Sequence, residues 1–199
     1  AEAVPGKSRL RFIFVLIIRI LFGLDDVDTS NSAIIRPSAF ALDEFQIDRP
    51  DVRVFFEDKS LKDIGGFVGG YLAGGKRRAT SVQSRCIVTL DLDFATPYLW
   101  EDFILQYSNA ALVYSTHKHS PEAPRLRLLM PLDRPVTPGE YEAIARRLGG
   151  NIGIELFDPT TFQPERLMYW PSTAKDGQFQ YHFQDGPWLS ADDVLATYH

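Results

Sequence analysis

Short apolar runs alternate along the chain with amphipathic stretches, and Gly and Pro clusters separate them. Residues 12–18 are uncharged and apolar, but Arg19 interrupts the run and Asp25-Asp26 follow soon after. A membrane span needs about 20 apolar residues, so the run is too short for one. Lys7, Arg9 and Arg11 precede it as they would in a signal peptide. Arg19 inside the apolar region and the lack of a small-x-small cleavage site speak against that, so a buried strand or short helix is expected. Residues 25–50 mix Ser, Asn, Asp and Pro and read as a loop-rich connection, and residues 52–56 read as a short strand. In Gly65-Gly66-Phe67-Val68-Gly69-Gly70 two glycine pairs disfavour a helix. They predict a bent strand closely approached by another backbone or a ligand.

The first half of 86–94 is continuously apolar, which predicts a central strand buried on both faces. Residues 97–107 predict a helix. Residues 110–119 and 126–132 predict two more strands, the second ended by Pro135. Thr137-Pro138-Gly139-Glu140 opens a helix with an N-cap Thr, Pro at its first position and Glu at its third; Gly149-Gly150 is expected to stop it near Leu148. Short strands at 166–170 and 178–183 and a terminal helix at 190–198, capped by Ser190, complete the pattern. This mixed order predicts an α+β fold with an antiparallel or mixed sheet. The length fits one packed domain, with residues 1–50 as an N-terminal strand/helix and loop-rich segment and 51–199 as the core.

Composition narrows the chemistry. One cysteine, Cys86, excludes an internal disulfide and a Cys-cluster zinc site within the chain, and it favours a reduced cytoplasm. A net charge of −5 argues against a diffuse nucleic-acid coat but permits a local basic groove. Arg outnumbers Lys 15 to 6, which suits bidentate recognition of phosphate and carboxylate. No acidic residue lies between Asp63 and Asp91, while Lys76, Arg77, Arg78 and Arg85 all do. They are candidates to line a nucleic-acid groove, and Arg166 joins them.

Asp91 and Asp93 are spaced to share one face of a strand. Two adjacent carboxylates repel unless a positive group lies between them, and hard oxygen ligands suit Mg²⁺ or Mn²⁺. The bland alternative is a solvated strand end, or carboxylates paired with nearby arginines. Ser115-Thr116-His117-Lys118-His119 follows the next strand, with Ser115, His117 and His119 expected on one face and Arg125 and Arg127 sharing a face of the strand after it. A hydroxyl, two imidazoles and two guanidiniums beside two carboxylates suit a metal-bound triphosphate. Asp158 could complete a three-carboxylate site for two metals, although Asp-Pro also opens turns.

The ordered motifs resemble the archaeo-eukaryotic primase superfamily, specifically the primase-polymerase-like domain of phage and mobile-element replication proteins of the virulence-associated protein E type. The resembling stretch runs from about Lys62 to Tyr198. It includes Leu61-Lys62-Asp63, Gly66-Phe67-Val68-Gly69-Gly70 and Arg85-Cys86-Ile87-Val88-Thr89-Leu90-Asp91-Leu92-Asp93-Phe94. It continues through Ser115-Thr116-His117-Lys118-His119-Ser120-Pro121, Pro124-Arg125-Leu126-Arg127, Asp158, Arg166-Leu167-Met168-Tyr169-Trp170-Pro171-Ser172 and Asp185-Gly186-Pro187-Trp188-Leu189.

The resemblance implies an RNA-recognition-motif-like catalytic sheet with a small α/β unit against it. It implies that Asp91, Asp93 and Asp158 hold two divalent ions, and that Ser115 and His117 contact the phosphates of an incoming nucleoside triphosphate. His119, Arg125 and Arg127 could share that contact. The implied activity is template-directed nucleotidyl transfer on single-stranded DNA. Phe67, Tyr71 or Tyr169 could stack on a base. No Walker-type phosphate loop occurs in the sequence, so a helicase partner is expected on another part of the chain or on a separate protein; the start at Ala1 reads as an excised domain.

Two other readings compete. In a rolling-circle nicking enzyme, His117 and His119 would form the metal pair and Tyr141 or Tyr198 the nucleophile, although Lys118 between the histidines is out of pattern. In a catalytically inactive module, the chain would only bind nucleic acid or interfere with another replication protein.

Overall fold

The computed structural model describes residues 66–73, 77–169, 173 and 177–198. The expected N-terminal segment, the strand at 52–56 and Lys76 lie outside the described residues. The elements are β1 (Gly66–Phe67), β2 (Gly70–Leu72), β3 (Val82–Leu92), α1 (Leu99–Gln106), β4 (Ala111–Ser115), β5 (Leu126–Val136), α2 (Pro138–Ile152), β6 (Met168–Tyr169), β7 (Tyr181–Gln184) and α3 (Ala191–Ala196). Five strands form one sheet in the order β2-β3-β5-β4-β7, every neighbouring pair antiparallel, and β1 and β6 form a two-stranded ribbon. The run β3-α1-β4-β5-α2, with β5 between β3 and β4, gives the α+β antiparallel sheet the sequence predicts, in the RNA-recognition-like arrangement the resemblance implies. Among the described residues no helix is long and apolar enough to cross a membrane.

Strand alternation divides the side chains between two faces. Val88, Leu90 and Leu92 of β3, Ala111 and Val113 of β4 and Leu126, Leu128 and Met130 of β5 pack under the helices, against Leu99, Phe103, Tyr141, Ile144 and Leu148. The intervening residues face the other way. Ile87, Leu112, Tyr114 and Leu129 form a second apolar cluster there, covered by Phe67 and Met168 of the ribbon. Apolar residues on both faces of β3 account for its continuous hydrophobic run.

The second glycine pair, Gly69-Gly70, brings backbones together, as the sequence predicts. A Cβ on Gly70 would lie 2.0 Å from the Ser84 carbonyl oxygen and 2.8 Å from Arg85 Cα. The start of α2 also follows the sequence: Thr137 Oγ1 accepts from Glu140 N–H at 3.3 Å, and Glu140 Oε2 accepts from Thr137 N–H at 2.7 Å. The predicted stop at Gly149-Gly150 is corrected. The helix runs on to Ile152 and is capped by Gly153, whose φ is +128°. Gly149 serves packing instead, since a Cβ there would come 2.7 Å from the Phe162 ring.

Candidate functional site

On the face away from the helices, Asp91, Arg127 and Tyr114 sit side by side across β3, β5 and β4. Arg127 is almost fully buried. Its Nη2 donates to both Asp91 carboxylate oxygens at 3.2 Å, and its Nη1 donates to the Tyr169 carbonyl at 2.6 Å and to Tyr114 Oη at 3.4 Å. Burial works against the Arg127 charge, but Tyr114 and Asp91 outweigh it and hold its pKa above the ordinary value. Burial also pushes the Tyr114 hydroxyl up, so the phenol stays protonated and donates to Tyr169 O.

Asp93 lies at the turn just past β3, and its Oδ1 accepts from Arg125 Nη1 at 2.7 Å in a pair about one third exposed. The third carboxylate arrives on the segment after α2. Asp158 caps a short 3₁₀ turn (Pro159–Phe162), with Oδ1 accepting from both Thr160 N–H and Thr160 Oγ1 at 2.8 Å. Two hydrogen bonds fasten this turn beside β3: Asp158 N–H donates to Asp91 O at 3.0 Å, and Asp91 N–H donates to Thr161 Oγ1 at 2.7 Å. Arg166 Nη2 then bonds Asp158 Oδ2 and lies 3.9 Å from Asp91 Oδ2. Burial would raise the Asp158 carboxyl. The Thr160 hydrogen bonds and Arg166 outweigh burial and keep it below the usual carboxylate range.

Asp91 and Asp158 therefore come together, joined through Arg166, while Asp93 is paired separately with Arg125. Asp91 also pairs with Arg127. Among the described residues no three of His, Cys, Asp and Glu gather as a metal-binding group. The donor set nevertheless fits a hard divalent ion in kind, and a guanidinium already stands as the cation between Asp91 and Asp158.

Several expected contacts are corrected. Ser115 faces opposite to Asp91: it pairs with Leu126, which points under the helices, and its fully buried Oγ accepts from Gln180 N–H at 3.0 Å. The pleat puts Tyr114 on the Asp91 face instead. His117 and His119 are both buried in the turn after β4. His119 Nδ1 accepts from Arg125 N–H at 3.2 Å, so the proton of the neutral ring sits on Nε2, and burial lowers its pKa below the ordinary value.

Arg85 lies in the interior at 0% exposure and lines no groove. It donates to the carbonyls of Gly69 at 3.0 Å, Pro164 at 2.5 Å and Ile87 at 3.1 Å and to Thr89 Oγ1 at 2.9 Å, and it stacks over Tyr141 at 4.0 Å. Arg166 belongs to the acidic cluster, and Arg77 and Arg78 are exposed. Phe67 is buried, while Tyr71 is 49% and Tyr169 38% exposed. Thr160, Thr161 and Tyr114 were missed by the sequence reading; a Thr pair just after Asp158-Pro159 is the cue that could have flagged the first two.

Residues 54–199 match the protein family described as the VapE N-terminal domain. No curated protein sequence matches the chain significantly. Among solved structures, the AEP domain (PP-N190) of the cyanophage S-2L primase-polymerase, PrimPol, matches at 17% identity with a TM-score of 0.45. That match covers 66% of this chain and 65% of the other, less than two thirds of its length.

Proposed function

The chain belongs to the VapE N-terminal domain family, and on that premise we propose that the acidic sheet end is the active site of a DNA primase-polymerase. It would join nucleotides on a single-stranded DNA template, making primers for a phage or mobile element. What supports this reading is the approach of Asp91 and Asp158, from two separate segments, to one arginine, Arg166, with Asp93 two residues beyond Asp91. Mg²⁺ or Mn²⁺ held by these carboxylates would supply activation of the attacking 3′-hydroxyl and charge neutralisation at the leaving pyrophosphate.

The protein's own groups position the reactants. Arg125, one third exposed and bonded to a single carboxylate oxygen, keeps donors for a nucleoside triphosphate. His119 fixes the backbone from which Arg125 projects, and His117 lies in the same turn. Arg127, committed to Asp91, Tyr114 and Tyr169, orients the Asp91 carboxylate from behind. Arg77 and Arg78, with Lys76, meet template phosphates, and Tyr71 and Tyr169 offer exposed rings for base stacking. A helicase partner would act from elsewhere.

The nicking alternative fares worse, because Tyr141 is fully buried against Thr89 and the Tyr198 hydroxyl donates to Ala143 O. The inactive binding module is favoured by one observation, that a guanidinium meets each aspartate.

The deciding experiment incubates the protein with single-stranded template, labelled ribo- and deoxyribonucleotides and Mg²⁺ or Mn²⁺. Labelled primers should form, and the Asp91→Ala/Asp93→Ala double variant should lose at least about a thousandfold of the synthesis while keeping its circular dichroism spectrum. Synthesis that survives in the double variant overturns the reading. DNA binding without synthesis in the unsubstituted protein would establish the inactive module instead.

A further inference from the structure

Arg166 differs from its neighbours in what holds it. Arg85 is tied to three carbonyls and a hydroxyl, and Arg127 to a carbonyl and a phenol as well as a carboxylate. Among the described residues the only recorded partners of the Arg166 guanidinium are the Asp158 carboxylate, which it bonds, and the Asp91 carboxylate at 3.9 Å, and its buried Nε has no hydrogen-bond partner there. Both carboxylates are fixed without it. Asp158 Oδ1 is taken by Thr160, Asp91 is held by Arg127, and their backbones are joined by the Asp158 N–H to Asp91 O bond. What remains of Asp158, its Oδ2, is presented to Arg166, which also lies 3.9 Å from the Asp91 Oδ2 that Arg127 bonds.

Resting on the catalytic reading above, we propose that Arg166 is a positioning residue. It stands in for a divalent cation between Asp91 and Asp158 and leaves when the cation arrives. With no metal bound, its charge prevents the two preset carboxylates from repelling each other. A side chain one third exposed, with no neutral acceptor recorded for it among the described residues, can swing into solvent without breaking a backbone contact among them. Arg127 cannot do so as readily, because its departure would break the 2.6 Å bond to the Tyr169 carbonyl, which would keep only the 3.1 Å bond from Tyr114, and would empty a buried position. Arg166 therefore competes with the metal and lowers its affinity, and once displaced it is free for the phosphates that follow.

The test measures Mn²⁺ binding, from the paramagnetic resonance of the free ion, on the whole chain and on Arg166→Gln. The variant should bind Mn²⁺ about tenfold tighter, because one charge-assisted competitor is gone. Arg166→Lys should fall between the two and guards against a folding defect in the Gln variant. Adding Asp158→Asn to Arg166→Gln should abolish the gain. Thermal unfolding supplies a second readout: Arg166→Gln should melt lower than the parent in chelator and recover most of the deficit in saturating Mn²⁺. If the parent binds Mn²⁺ and the variant binds equally or more weakly, Arg166 is a fixed counter-ion and this inference falls while the catalytic reading stands. If neither binds Mn²⁺, both fall.

Discussion

Arg85 and the arginines of the acidic cluster lie within one fold, yet their surroundings are opposite. Arg85 is a fully buried cation with no carboxylate among the described residues, enclosed by carbonyl oxygens, a hydroxyl and the Tyr141 ring. Arg125, Arg127 and Arg166 each face an aspartate, and Arg125 and Arg166 reach the surface. A guanidinium spread over neutral acceptors cannot be exchanged for another cation, because no single ligand replaces all of them. One held by carboxylates can be. The first arrangement fixes the fold, and the second leaves the site open to chemistry.

The hardest test of this contrast is Arg85→Ala. It empties an interior position and strips the donor from Pro164 O, two residues before Arg166, so about 3–5 kcal/mol of stability should be lost. Gly69 O is less affected, because the amides of Cys86 and Ile87 also reach it, at 2.9 and 3.2 Å. Arg85→Met separates the two contributions by restoring the stem but not the donors, and about 1–3 kcal/mol of the loss should persist. Urea unfolding of both variants gives the answer. A Met variant as stable as the parent would mean that Arg85 is only filling space.

The contrast was partly legible in the sequence. Apolar runs located β3, β4 and β5, because burial on both faces demands continuous hydrophobicity, and the Asp91/Asp93 spacing correctly put both carboxylates at a strand end. Arg85 was misassigned because its charge was weighed and its position was not. It directly precedes the apolar run Cys86 to Leu90 and alternates with Ile87 and Thr89, which lie on an enclosed face. Ser115 was misplaced because within β4 the pleat gives the Asp91 face to Tyr114, and His117 and His119 lie past the end of β4, where that pleat does not continue. Pro135 did not end β5 either. β4 stops pairing at Leu129, and a register shift on the β3 side lies opposite Pro131 to Val136, so the missing proline amides are not needed there. The aspartate–arginine pairing was among the alternatives the residues left open; which arginine meets which aspartate depends on the docking of the 158–166 segment, and no local pattern encodes that.

That docking supplies the next test. Thr161 is fully buried, and its hydroxyl is the acceptor for the Asp91 amide. Thr161→Val keeps the shape and removes the acceptor, which should cost about 1–2 kcal/mol. The change should also be felt at the site. If the hydrogen bond sets the Asp91–Asp158 spacing, Mn²⁺ affinity and primer synthesis should fall along with stability, and the Asp91 amide resonance should shift. Loss of stability with an unchanged site would place Thr161 with Arg85, among the groups that only hold the fold.

The weakest expected effect comes from the same ion pair placed in water. Arg134 bonds Glu140 at 2.9 Å and Asp192 at 2.6 Å, with side chains 35%, 31% and 76% exposed. The Arg134 hydrogen bond, followed by that from Thr137 N–H, lowers the Glu140 carboxyl from 4.5 to about 2. A carboxyl lowered on folding contributes stability that is fully present above its unfolded value and is lost as pH falls through the folded one. The Glu140 contribution should therefore be flat above pH 4.5 and fade between pH 4.5 and about 2. Solvent screening limits it to about 0.5–1 kcal/mol. Glu140→Gln, which can still accept from Thr137 N–H, should show that deficit in urea unfolding at pH 7, and the deficit should vanish near pH 2. A deficit that persists at pH 2 would assign the effect to capping geometry, and the exposed pair would then tell us nothing about charge. A deficit that vanishes on schedule completes the series: buried among carbonyls an arginine holds the fold, half-buried among aspartates it holds a site, and in water it holds almost nothing.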